Sequence, residues 1–116
     1  MQILLAASDR DLLSSYQKIL SALPSETVTA FDGAQVLTLL KEVRFDAVVL
    51  DGELPRNNMS FTLERLEKLG TPAIILSNDR NNPPKAIGRA KVLNHPFSPE
   101  ELVNLIMQVS VGRNVF

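Results

Sequence analysis

The stretch "FDAVVLDGELP", residues 45–55, joins a short apolar run to an aspartate and then to a proline turn. Val48, Val49 and Leu50 follow one another without a polar residue, the pattern of a strand covered on both faces. Such a strand belongs to a parallel sheet packed between two layers of helices. Asp51 then stands at the strand's carboxyl end, and the functional question is what a carboxylate does there.

Working outward, strand-like and helical stretches alternate along the chain. Strands are predicted over 2–7, 26–31, 46–51, 72–77 and 91–94. Between the first two, "DRDLLSSYQKILSAL" (9–23) sets Leu12, Tyr16, Ile19, Leu20 and Leu23 at helical spacing, closed by Pro24. A second helix over 33–43 has Val36, Leu37, Leu40 and Val43 on one face, with Asp32 as N-cap. A third over 59–70 turns Leu63 and Leu66 inward, pairs Glu64 with Lys68 and ends on Gly70. The tract 78–90 is polar and proline-interrupted, fit for a short helix at most. The last helix, 98–111, takes Ser98 as N-cap and Pro99 at its first position, with Leu102, Leu105, Ile106 and Val109 as its core face.

Composition limits the function classes. With 116 residues and 45% hydrophobic content, residues 1–116 are expected to form a single domain. A net charge of -1 without a basic run argues against nucleic-acid binding. Cysteine is absent, which removes disulfides, thiolate metal sites and thiol nucleophiles, and the lone histidine, His95, cannot build a metal cluster by itself. "MQILLAASDRD" reads as neither a signal peptide nor a membrane span, so a soluble cytoplasmic protein is expected.

Parallel sheets of this kind bind ligands beyond the carboxyl ends of their strands, where Ala7, Asp51 and Ser77 converge. A strand-ending aspartate is also a common turn residue, so position alone does not give Asp51 a role. Four segments, "ILLAAS", "VVLDGELP", "PAIILS" and "HPFSPEELVNLI", resemble in order and over essentially the whole chain the landmarks of the receiver domain of two-component response regulators. The resemblance implies a flavodoxin-like, doubly wound α/β fold with strand order 2-1-3-4-5. It also implies a phosphorelay site. Asp51 takes the position that accepts a phosphoryl group from a histidine kinase, and Ser77 the position that contacts a phosphoryl oxygen. Pro96 takes that of a cis-proline.

The same resemblance calls for two acids after the first strand to hold Mg²⁺ and for a lysine before Pro96. This chain has Ala7 and Ser8 at the acidic pair and His95 at the lysine. Ala7 has no ligand atom, and a neutral hydroxyl is a poor Mg²⁺ ligand beside a carboxylate. Asp9 is the candidate auxiliary acid; shifting the register to pair Ser8 with Asp9 would spoil the inward spacing of Leu12, Tyr16, Ile19 and Leu20. An imidazole is mostly neutral near pH 7, so metal and ammonium are lost together. His95 reads equally as a plain turn residue before Pro96. The family's aromatic switch position in strand five is Val92.

The expectation is therefore a signal-transduction and interaction module, a pseudo-receiver that is not an enzyme and works without phosphorylation. No cofactor is expected, weak Mg²⁺ binding being the most this donor set supports. The partner would be a protein, a histidine kinase or an output domain, with a homodimer left open and neither nucleic acid nor membrane involved. On the last helix Val103, Met107 and Val111 form a second apolar stripe, either a contact surface or the seat of a neighbouring loop. Two alternatives remain: a slow aspartyl-phosphate switch at Asp51, and a flavodoxin-like small-molecule binder. The second is disfavoured by a first loop without glycine or a Ser/Thr-rich phosphate cradle, and by the absence of tryptophan with Tyr16 the one tyrosine to stack a ring.

Overall fold

The computed structural model describes residues 1–78 and 90–111, Val111 by its backbone alone. Five strands, β1 (Gln2–Ala6), β2 (Glu26–Ala30), β3 (Ala47–Asp51), β4 (Ala73–Ser77) and β5 (Lys91–Asn94), form one sheet in the order β2-β1-β3-β4-β5. Every pairing is parallel. The described helices are α1 (Arg10–Leu20), α2 (Gly33–Glu42), α3 (Met59–Leu69) and α4 (Pro99–Val111). This is the flavodoxin-like topology expected from the sequence.

Alternation along the central strands builds two cores. Leu4, Ala6, Val48, Leu50 and Ile75 meet Val36 and Leu40 of α2 and Leu63 and Leu66 of α3. Ile3, Leu5, Ala7, Val49, Ile74 and Leu76 point the other way, toward Leu13, Tyr16 and Leu20 of α1 and Leu102 and Ile106 of α4. Burial on both faces is what keeps the strands apolar over Ile3–Ala6, Ala47–Leu50 and Ala73–Leu76.

Helix starts follow their caps. Asp9 accepts from the N–H groups of Asp11 and Leu12, Asp32 from that of Gln35 and Asn58 from that of Phe61. Ser98 and Glu101 form a reciprocal capping box, each side chain accepting from the other's N–H. Gly70 closes α3 in the left-handed region at φ 69°, where a side chain would be strained.

Several faces differ from the sequence expectation. In α1, Leu13 is buried and Leu12 and Ile19 are half-buried, because Leu13, Tyr16 and Leu20 lie at i, i+3 and i+7 directly over the sheet. Glu64 and Lys68 form no ion pair; the described ion pair joins Arg56 to Asp32 at 3.9 Å. Val103 is half-buried against the same cluster as Leu105 and Val109, so of the expected second stripe Met107 is the exposed member, 47% accessible. The side chain of Val111 and residues 79–89 of the tract 78–90 lie outside the described residues.

Candidate functional site

The carboxyl ends of β3, β4 and β5 bring Asp51, Ser77 and the turn at His95 to one edge of the sheet. Asp51 pairs with Leu76 in the ladder, and the N–H of Gly52 donates to Leu76 O at 2.8 Å, so the chain leaves β3 still held to β4. Half-buried there, Asp51 accepts through Oδ1 from the N–H of Glu53 at 3.0 Å. Ser77 is buried opposite Asn94, and its carbonyl accepts from the N–H of His95 at 2.8 Å. The peptide between His95 and Pro96 is cis, as the resemblance implied.

The end of β1 is different in chemistry. Ala7 is fully buried in the cluster beneath α1 and α4, and its N–H donates to Ala30 O at 3.0 Å, prolonging the β1–β2 pairing. Ser8 and Asp9 are exposed. Asp9 Oδ1 is engaged by the first turn of α1, at 2.8 Å from Asp11 N and 3.2 Å from Leu12 N. No group of three His, Asp or Glu side chains that could hold a metal occurs among the described residues.

Sequence reasoning missed one member of this edge. The hydroxyl of Tyr16 lies 3.2 Å from Nε2 of His95. Phe97 completes an aromatic group, its ring 4.6 Å from the His95 ring and 6.2 Å from that of Tyr16. Tyr16 is the one tyrosine of the chain, and a buried phenol needs a hydrogen-bond partner; that was the available signal. Its pKa is pushed up to about 12, first by burial and then by the negative charges of Asp51 and Asp9. The phenol is thus a neutral group that senses Asp51. Val92, at the aromatic switch position, is half-buried against the α2–α3 core on the opposite face of the sheet.

No family model matches the chain. Individual proteins do. The transcriptional regulatory protein CpxR of Escherichia coli (strain K12) is 31% identical over 113 residues, covering 93% of this chain and 48% of that protein. The chain therefore spans about half the length of the curated relatives it matches. The signal receiver domain of an HD domain-containing protein from Pseudomonas fluorescens Pf-5 is 26% identical, with a TM-score of 0.83 over 97% of this chain and 88% of that one. The receiver domain of the Francisella response regulator 1452 is 26% identical, with a TM-score of 0.84 over 97% of this chain and 98% of that one. In fold and over nearly its whole length the chain is similar to the receiver domains of response regulators. Among the described residues no helix is long and apolar enough to cross a membrane.

Proposed function

We propose that this chain is a receiver domain and a protein-interaction module whose conformation does not depend on Mg²⁺-assisted phosphorylation of Asp51. The observation that carries the reading is Ala7, a fully buried methyl group at the place where the resemblance calls for a metal-binding carboxylate. The donors at this edge do not fit a magnesium ion, which needs several oxygen ligands in near-octahedral geometry. Ser8 is a neutral hydroxyl, Asp9 caps α1, and Asp51 holds the turn at Glu53. His95, hydrogen-bonded to a phenol, takes the place of a lysine.

On this reading the domain is not an enzyme and uses no cofactor. It acts in the cytoplasm through a protein partner, a histidine kinase or an output domain. Tyr16, His95 and Phe97 supply a packed aromatic group in place of the ion network of a phosphorylated site.

Incubation with acetyl phosphate and Mg²⁺, followed by intact-protein mass spectrometry, tests this. The expected result is no phosphoryl adduct on the unmodified protein. Rapid Mg²⁺-dependent labelling that disappears in Asp51→Asn would overturn the proposal in favour of an aspartyl-phosphate switch.

A further inference from the structure

The face of the molecule away from α1 and α4 has a groove between α2 and α3 whose chemistry the Asp51 edge does not use. Its floor and walls are Leu37, Leu40, Lys41, Phe61, Arg65 and Leu69, around a depression of about 370 Å³. Phe61 and Leu69 are 48% and 44% exposed, two large apolar side chains open to solvent on one helix. They are not scattered. Phe61, Arg65 and Leu69 fall at i, i+4 and i+8, a straight stripe along α3 some ~12 Å long at the helical rise. Leu37 and Lys41 repeat the order, apolar then cationic, at i and i+4 on α2.

Charge decides what such a groove accepts. Toward the carboxyl ends of the two helices it continues, through Leu40, Lys41 and Leu69, into a second depression with Arg44 and Lys68 on its rim. Lys41, Arg44, Arg65 and Lys68 thus face Glu42 alone as a lining carboxylate, on a chain whose net charge is -1. No ion pair among the described residues engages these four cations. The Arg65 guanidinium instead lies 5.9 Å from the centre of the Phe61 ring, which holds it at the groove mouth beside the apolar floor. Helices on both sides have their backbone groups satisfied, so no sheet edge is offered and an extended peptide gains no ladder. A helix laid between two helices, ridges into groove, does fit.

We propose that the α2–α3 groove docks an acidic amphipathic helix of a partner protein. Its apolar side chains would cover Leu37, Phe61 and Leu69, and its flanking carboxylates would meet Lys41, Arg44, Arg65 and Lys68. This goes beyond the reading of the Asp51 edge and does not rest on it.

The test uses the full chain and a designed probe: a labelled helical peptide with leucines at i, i+3 and i+7 and glutamates on both flanks. A sequence-matched peptide with lysines at the flanks is the control. Saturable binding of the acidic peptide, with amide shifts confined to α2 and α3, is expected. So is a loss of at least about tenfold in affinity in Lys41→Glu/Arg65→Glu, and again in Phe61→Ser/Leu69→Ser. All four side chains are exposed or line the groove, so circular dichroism should show the fold of both variants kept. Three results would each overturn the proposal. One is no binding up to ~1 mM peptide. Another is equal binding of the lysine-flanked control or shifts on α1 and α4. The third is sedimentation showing that the groove is filled by a second copy of this chain, in a dimer that Lys41→Glu/Arg65→Glu dissociates.

Discussion

The hydroxyl of Tyr16 and Nε2 of His95 meet at 3.2 Å although 79 positions separate them in the chain, and the contact ties the middle of α1 to the turn after β5. A neutral phenol can donate to an unprotonated Nε2 or accept from a protonated one; an imidazolium can use only the second arrangement. Tyr16→Phe removes the hydroxyl and keeps the ring stacked near Phe97. The expected loss is about 0.5–1.5 kcal/mol in urea denaturation, the net worth of one hydrogen bond. An unchanged midpoint would mean that water satisfies the imidazole equally well.

The elevated pKa of Tyr16 makes a second, independent prediction. The folded value of about 12 lies above the ordinary phenol value of 10.0, so the native state holds its proton longer than the unfolded chain. Stability from this group is fully present below pH 10 and is lost as pH rises from about 10 toward about 12. Absorbance of the phenolate should appear later than for a free tyrosine, with stability falling over the same window. Because Asp51 is one cause of the shift, Asp51→Asn should bring the phenolate titration of the folded protein to lower pH and reduce the stability lost over this window; if the titration does not move, the carboxylate does not act on the phenol.

Gly33 sets the third. Its N–H donates to Pro55 O at 2.9 Å, and a Cβ built there would stand 2.7 Å from the Cα of Asn57 and closer still to the carbonyl of Arg56. Those are backbone atoms of the loop that follows Asp51, held in turn by the 2.6 Å bond from Thr62 Oγ1 to Asn57 Oδ1. Gly33→Ala should therefore cost about 1–3 kcal/mol, as overpacking does, and shift the amide resonances of residues 52–58. A variant of wild-type stability would show the loop free to withdraw.

Most of this architecture was legible because it is local. The apolar runs at Ile3–Leu5, Val48–Leu50 and Ile74–Leu76 have the length and pattern of strands buried on both faces, and Asp32 and Ser98 announce their helices by capping chemistry, whereas the cap that Asp9 places on α1 was not read from the sequence. The inward face of α1 was less legible: Leu12 and Leu13 are adjacent and equally apolar, and only the sheet beneath decides between them. The Tyr16–His95 contact and the space required at Gly33 depend on distant residues, and periodicity does not see them. On α4 the apolar residues outnumber the places on one face. Where Val103 packs and Met107 does not follows from its position beside α1, not from composition.

The last prediction inverts the chemistry of the site. Ala7→Asp alone places a carboxylate in an apolar cluster close to Asp51, where burial and like charge both oppose ionisation. It should destabilise the domain by several kcal/mol, the usual cost of an uncompensated buried charge, and Mg²⁺ should restore part of the loss. Ala7→Asp, Ser8→Asp and His95→Lys together rebuild the donor set that the resemblance describes, three carboxylates with one ammonium. This triple variant should bind Mg²⁺ by calorimetric titration and accept a phosphoryl group from acetyl phosphate, since charge neutralisation and positioning are what the transfer requires. Adding Asp51→Asn to it should abolish labelling while leaving the fold intact. A folded triple variant that binds the metal yet is never labelled would show that Asp51 does not occupy the acceptor position. One that is folded but binds no metal would show that Ala7 and Ser8 are not the missing ligands.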